Sequence, residues 1–107
     1  MSPIPAIAVT DLADDAVVVD VREDDEWAAG HAPGAVHIVM SDIPVRIGDL
    51  PDGEPLPIIC RSGGRSAQVV NYLAAQGYDV VNVDGGMRAW ASAGKSMTAE
   101  TGQPRVL

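Results

Sequence analysis

Short apolar runs rich in β-branched residues alternate with helical segments along the chain. The apolar runs cover residues 6–9, 16–21, 35–39, 56–60 and 78–83, and the main helical segments cover residues 23–29, 66–76 and 87–93. A helix between two strands returns the chain to the end of the sheet from which it started, so the two strands run parallel. The alternation therefore predicts an α/β fold with a central, mostly parallel sheet of about five strands and helices on both faces.

The length of the chain, 107 residues, corresponds to one domain. We expect a single domain over residues 1–107, with a core at about 5–95 and a polar tail over 96–107 that packs on the surface or frays. The sequence has no Phe and only two Trp and two Tyr. The core must therefore be built from Val, Ile, Leu and Ala, which suits a buried sheet covered by helices.

The charge of the chain limits its partners. Fifteen acidic against seven basic side chains give a net charge of −8, so we expect neither nucleic acid nor an anionic membrane surface as a partner. No segment approaches the ~18–20 apolar residues that span a membrane, and the N-terminal residues lack the features of a secretory signal. With one cysteine the chain cannot form an internal disulfide. We expect a cytoplasmic protein.

The single cysteine, Cys60, lies where the fourth apolar run ends and a loop with two glycines and two arginines begins. In parallel α/β folds, ligands bind beyond the carboxyl ends of the strands. The following helix, predicted to begin at Ser66, and both guanidinium groups favour the thiolate, and the loop amides can bind an anion. The sequence thus predicts Cys60 as a nucleophile. The predicted anion-binding residues are Arg61, Ser62, Gly63, Gly64, Arg65 and Ser66.

Three segments together resemble the single-domain rhodanese family of thiosulfate sulfurtransferases. They are Asp20-Val21-Arg22-Glu23 followed by Glu26, Trp27 and Gly30-His31-Ala32-Pro33-Gly34-Ala35; the loop 60–66; and Asp84-Gly85-Gly86-Met87 followed by Trp90. The segments occur in the family's order and span roughly residues 5–95. The resemblance implies a rhodanese-like three-layer domain in which Cys60 accepts sulfur from an anionic donor such as thiosulfate and becomes a persulfide. Cyanide or a cellular thiol then removes the sulfur, and we expect no cofactor.

The loop arginines are candidates for holding the oxyanion end of the donor. We expect Arg65 to lead in this role and Arg61 to be second, because an arginine in a ring of amides is suited to a planar anion. The chain contains no second thiol that could resolve the persulfide. The acceptor must therefore come from outside, as a small molecule or a sulfur-acceptor protein.

Other polar residues of the first segment fit a structural role. Asp20, Arg22 and Glu26 could be acid–base catalysts, but we interpret them as an ion-pair and hydrogen-bond set at a strand end, because buried charges persist when paired. We expect His31 to tie the turn before Pro33 to a backbone group.

The histidines could indicate a metal site, and the tryptophans could pack helices. His31, His37 and one cysteine lack the close spacing of a metal site, so we expect no metal. We expect Trp27 and Trp90 to pack helices against the sheet.

Three other functions are alternatives to thiosulfate sulfurtransferase. Protein tyrosine phosphatases place five residues between cysteine and arginine, whereas four lie between Cys60 and Arg65, which leaves less room for phosphate. Rhodanese-like domains also serve as adaptors, usually after losing the cysteine that is present here. The third function is a persulfide carrier that delivers sulfur to a partner protein. Mercaptopyruvate transferases resemble the loop less, because theirs typically continues Cys-Gly-Ser-Gly.

Overall fold

The computed structural model describes residues 4–107 and has a five-stranded parallel sheet as its centre. The strands are β1 (Ala6–Ala8), β2 (Val18–Asp20), β3 (Ala35–His37), β4 (Leu56–Ile59) and β5 (Val80–Asp84). The α-helices are α1 (Asp24–Ala29), α2 (Gly64–Ala75) and α3 (Gly86–Ser92), and short 3-10 helices cover Val9–Asp11, Met40–Val45 and Ile47–Asp49. The strands lie in the order β1-β5-β4-β2-β3. This confirms the predicted α/β fold.

Helices cover both faces of the sheet because alternate residues of the central strands point to opposite sides. Val19 and Ile58 belong to the core cluster that includes residues of α2, whereas their neighbours Val18 and Ile59 belong to the cluster that includes Trp90 of α3. All four strand residues are fully buried. The continuous apolar runs of β2 and β4 therefore reflect strands covered on both sides.

The helix after Cys60 begins earlier than the sequence pattern indicates. We predicted its start at Ser66, but α2 begins at Gly64, with Gly63 as the N-terminal cap in a left-handed conformation (φ 111°). Glycine adopts this conformation without a steric penalty, so the chain turns from strand to helix within a few residues. As a result, Arg65 and Ser66 lie in the first turn of the helix and not in the preceding loop.

The strand ends differ slightly from the prediction. The three residues before Ile4 lie outside the described residues, so the expectation about a secretory signal stays a prediction. The run 16–21 narrows to 18–20 in β2, whereas β5 extends to Asp84. Within residues 4–107, no helix is both long enough and apolar enough to cross a bilayer.

The C-terminal tail packs against α1 and the turn that follows it. His31 and Thr98 form an antiparallel bridge, with N–O distances of 2.8 and 2.9 Å. The Arg105 amide donates to the Ala29 carbonyl at 2.9 Å. A Cβ added to Gly30 would overlap the backbone of Arg105 and come within 2.8 Å of Met97 Cε. The tail thus satisfies carbonyl groups at the end of α1 that the helix leaves unpaired.

The turn between β5 and α3 fixes the end of β4. The amides of Met87 and Arg88 donate to the carbonyls of Cys60 and Arg61, at 2.8 and 2.9 Å. Gly86 adopts φ 56°, and a Cβ there would overlap the Cys60 carbonyl oxygen and lie 2.7 Å from Arg61 backbone atoms. The glycine is required both by its backbone conformation and by this close approach.

We expect Gly86→Ala to lower the free energy of unfolding by about 2–4 kcal/mol, because left-handed strain adds to a clash with backbone. Gly94→Ala is the matched control, since Gly94 also has positive φ (69°) but nothing within 4 Å of an added Cβ. The control should lose only about 1–2 kcal/mol. Urea unfolding of both variants measures the difference, and equal losses would show that the approach to Cys60 does not matter.

Candidate active site

The Cys60 sulfur lies directly beyond the carboxyl end of β4, at the base of the loop that leads into α2. The residue is only 1% exposed. The Gly63 amide donates a hydrogen bond to Sγ at 3.1 Å, and the Ser66 hydroxyl lies 3.2 Å from Sγ. Two donors from the next turn of the chain therefore converge on a buried sulfur.

These donors determine the charge of the sulfur. Burial raises the pKa of the Cys60 thiol, but hydrogen bonds from the Ser66 hydroxyl and from the amides of Ser66, Gly63 and Ser62 lower it, and the net pKa is below its ordinary value. Hydrogen bonds to the charged form of a group favour that form. The loop therefore favours the thiolate, which is the nucleophilic form of cysteine.

Ser66 beside the sulfur is hydrogen-bonded to Asn82 of β5. The Ser66 hydroxyl lies 2.5 Å from Asn82 Oδ1, and Asn82 Nδ2 donates to the Gly63 carbonyl at 3.1 Å. Both residues are buried. The sequence analysis missed Asn82, although an asparagine within the apolar strand Val80–Asp84 is a signal, because a buried amide needs hydrogen-bond partners.

Arg65 forms an ion pair with Glu26 of α1. Its Nη1 and Nη2 donate to the two carboxylate oxygens at 2.7 and 2.9 Å. The hydrogen bond from Arg65 lowers the pKa of Glu26 to about 2, despite the opposing effect of burial. Glu26 also accepts from the Glu23 amide in a capping box at the start of α1. The guanidinium expected to hold the donor is therefore bound to the Glu26 carboxylate in this structure.

Two other arginines, one in the loop and one beside it, have no acidic partner among the described residues. Within residues 4–107, the Arg and Lys side chains that form ion pairs with Asp or Glu are those of Arg22, Arg46, Arg65 and Lys95. Arg61 and Arg88 form none within this range, and both are exposed. The backbone hydrogen bond from Arg88 to the Arg61 carbonyl brings their main chains together. Two arginines without an acidic partner among residues 4–107 thus lie in and next to the cysteine loop, which also exposes Ser62 and Gly64.

Asp20 and Arg22 form a buried ion pair at the end of β2. Arg22 Nε and Nη2 lie 3.0 and 2.8 Å from the carboxylate oxygens of Asp20, and both side chains are fully buried. Nη2 also donates to the Gly30 carbonyl at 2.7 Å. This network joins the end of β2 to the turn after α1, whereas Glu26 pairs with Arg65 instead.

The imidazoles bind backbone carbonyls. His31 Nδ1 lies 2.8 Å from the Trp27 carbonyl oxygen, and His37 Nε2 lies 2.7 Å from that of Arg22. The Trp27 ring stacks on both imidazoles, at centroid distances of 3.5 and 4.6 Å. Trp27 therefore packs α1 on the imidazoles of His31 and of His37, the last residue of β3, and Trp90 is fully buried in the cluster that includes residues of β2 and β4. Across residues 4–107, no three His, Cys, Asp or Glu side chains gather as metal ligands would.

Three curated relatives are similar to this chain, and the match covers most of two of them and less than half of the third. Over 73 residues the chain is 52% identical to "Putative sulfurtransferase YtwF" of Bacillus subtilis, covering 68% of this chain and 71% of the relative. Over 94 residues it is 43% identical to "Sulfurtransferase" of Allochromatium vinosum, covering 85% and 88%. It is 39% identical to "Putative sulfur carrier protein YrkF" of Bacillus subtilis over 74 residues, which are 68% of this chain and 40% of that protein.

Solved structures and family comparison agree with these relatives. A rhodanese-related protein from Thermoplasma volcanium superposes with a TM-score of 0.79 at 30% identity, covering 88% of this chain and 97% of the other. The family described as Rhodanese-like domain matches residues 6–93. Since this range contains all five strands and all three α-helices, the chain belongs to the Rhodanese-like domain family.

Proposed function

We propose that this protein is a sulfurtransferase that moves a sulfane sulfur from thiosulfate or a similar anionic donor to an external acceptor through a persulfide on Cys60. The main support is the environment of Sγ, a buried sulfur with a lowered thiol pKa that receives hydrogen bonds from Gly63 and Ser66. The names of two curated relatives are a second support.

In the first step, the Cys60 thiolate attacks the outer sulfur of thiosulfate. The new Sγ–S bond forms as the S–S bond of thiosulfate breaks, and sulfite leaves with the bonding electron pair. The charge of −3 on the reactants is conserved as −1 on the persulfide and −2 on sulfite. Covalent catalysis of this kind divides one transfer into two easier steps.

In the second step, cyanide or a thiolate attacks the outer sulfur of the persulfide. The Sγ–S bond breaks, its electron pair returns to Sγ, and thiocyanate or a new persulfide leaves. A thiol with a lowered pKa is a good leaving group here. The cycle needs a reduced thiol at its start, so we propose the cytoplasm as its location.

Arg61 and Arg88 are the arginines that we propose for attracting the donor. Both are exposed and form no ion pair with an acid in the part of the chain that the structure describes, while the guanidinium of Arg65 is bound by Glu26. The protein has a net charge of −8, so uncompensated cations beside the loop offset its repulsion of anions. We propose that Arg65 instead holds α2 to α1 and keeps positive charge near the sulfur, since Cys60 raises the pKa of Arg65 after the larger effect of Glu26.

Delivery of the persulfide sulfur to a partner protein is a second candidate, favoured by the similarity to a protein named as a sulfur carrier. Both functions share the loaded Cys60 and differ in the acceptor. Rapid discharge of the loaded protein by cyanide and small thiols would support the enzyme. A persulfide that persists with these acceptors would support the carrier.

Incubation with thiosulfate should leave the protein one sulfur atom heavier, and cyanide should remove the increment and release thiocyanate. Cys60→Ser should abolish both changes while keeping the fold, because a serine hydroxyl does not ionise at the neutral pH of the assay. Intact mass spectrometry and thiocyanate detection measure the two steps. Sulfur loading that survives in Cys60→Ser would remove the nucleophile from the account.

The arginine assignment predicts different kinetic effects. Arg61→Ala should lower kcat/KM for thiosulfate about tenfold, because a charge-assisted hydrogen bond is worth about 1.5–3 kcal/mol, while alkylation by neutral iodoacetamide stays unchanged. Arg65→Ala should slow alkylation at neutral pH and lower stability. Arg46→Ala, which removes a charge from a surface ion pair with Asp49, is the control for net charge. If Arg65→Ala alone raised KM with unchanged alkylation and stability, Arg65 would be the donor-binding residue.

Phosphate monoesters should not be substrates. The ring from Cys60 to Arg65 contains six residues, and the guanidinium that closes it is engaged by Glu26. Three outer phosphate oxygens would need more donors than this arrangement leaves free. We expect no turnover of aryl phosphates and, at most, millimolar inhibition by phosphate or vanadate. Cys60-dependent phosphatase turnover faster than that with thiosulfate would overturn the assigned reaction class.

A further inference from the structure

The Ser66 hydroxyl has one hydrogen to donate and lies next to two acceptors. Its oxygen lies 3.2 Å from Cys60 Sγ and 2.5 Å from Asn82 Oδ1. A thiolate and an amide oxygen both accept hydrogen bonds, and a serine hydroxyl donates only one. When the sulfur is negatively charged and accepts the hydrogen bond from Ser66, Asn82 Oδ1 loses its donor.

The orientation of Asn82 is fixed by its other end. Nδ2 donates to the Gly63 carbonyl at 3.1 Å, so Oδ1 must face Ser66. The Gly63 carbonyl also accepts from the Ala67 amide within α2, at 3.1 Å. Replacing Asn82 by an apolar residue would therefore not leave this carbonyl unpaired, and its main effect would fall on Ser66.

We propose that Asn82 is a positioning residue for sulfur transfer that acts through Ser66: Oδ1 accepts the hydrogen bond of the Ser66 hydroxyl while Sγ is neutral, and the hydroxyl turns to donate to Sγ when the sulfur becomes negative. This role depends on the proposed sulfur transfer by Cys60. It adds to that function a residue on a different strand, which touches neither donor nor acceptor.

The charge on Sγ changes twice in each cycle. It is negative in the free thiolate, and it becomes neutral when the persulfide forms and the outer sulfur takes the charge. It is negative again when the acceptor removes the outer sulfur and the electron pair returns to Sγ. The Ser66 hydroxyl follows by rotation alone, so no proton is gained or lost. Asn82 gives the hydroxyl a partner in the neutral stage, when it would otherwise be buried without one.

The charged side chains around Cys60 are the same in the wild type and in a variant of Asn82. Arg65 lies in the first turn of α2 and is paired with Glu26, and Asp20 is paired with Arg22. Arg61, Asp84 and Arg88 are exposed. Asn82→Leu changes none of these charges and is close to the original side chain in size.

The test measures the Cys60 thiol pKa from the pH dependence of iodoacetamide alkylation in the wild type, Asn82→Leu, Ser66→Ala and the double variant. Without Asn82 Oδ1 as a competing acceptor, the Ser66 hydroxyl donates to Sγ alone. Asn82→Leu should therefore lower the thiol pKa of Cys60 by about one pH unit. Ser66→Ala should raise it by about one unit or more. In the Ser66→Ala background, Asn82→Leu should cause no shift, because the residue through which it acts is missing.

A bracing role would give a different pattern. If Asn82 served only to hold Gly63, its removal would displace the Gly63 amide and raise the pKa in both backgrounds. That result, or an unshifted pKa in folded Asn82→Leu, would overturn the proposal. Alkylation reports the charge of Sγ whether or not the protein transfers sulfur, so a failure here is distinguishable from a failure of the proposed function.

The two half-reactions supply a second readout. A thiolate of lower pKa is a weaker nucleophile and a better leaving group, so at saturating thiolate Asn82→Leu should load sulfur from thiosulfate about threefold more slowly and discharge it to cyanide faster. If Asn82→Leu does not fold, Asn82→Val removes the same acceptor with a residue favoured in strands. Slower rates in both directions would contradict the proposed role.

Discussion

The constraint on which this site depends is an almost fully buried sulfur whose hydrogen-bond donors favour its negatively charged form. Cys60 is 1% exposed, and burial alone raises the pKa of its thiol. The thiolate form is favoured because protein donors replace water around the sulfur. Those donors, from Gly63 and Ser66, come from a turn that the left-handed conformation of Gly63 makes short enough to bring them back to Sγ.

The rest of the domain holds this turn in place from three sides. The amides of Met87 and Arg88 fix the carbonyls of Cys60 and Arg61. Asn82 of β5 reaches the Gly63 carbonyl, and the pair formed by Glu26 and Arg65 ties the first turn of α2 to α1. Each of these contacts crosses between elements far apart in sequence, so the sheet order β1-β5-β4-β2-β3 is itself a condition for the site. Sites held by neighbouring elements in this way keep their geometry through a reaction.

The sequence was sufficient for the fold and for locating Cys60, because both depend on local patterns: apolar runs, helical segments and a glycine turn after a strand. It was insufficient for contacts between segments. Glu26 and Arg65 are 39 positions apart, so nothing local indicated that the fork of Arg65 would bind a carboxylate rather than remain free for a donor. Asn82 shows the same limit, since its burial in an apolar strand signals a partner but does not say which one. The early start of α2 was missed because Gly64 has low helix propensity, which the Gly63 turn overrides.

A crystal structure of the protein after loading with thiosulfate would test the central claim most directly. The account predicts one extra sulfur atom bonded to Cys60 Sγ and pointing into the loop of residues 61–66, with the ion pair between Arg65 and Glu26 intact. The Ser66 hydroxyl should remain within hydrogen-bond distance of Asn82 Oδ1. An unmodified Cys60, a sulfur that points away from the loop, or an Arg65 that leaves Glu26 to bind the sulfur would contradict it.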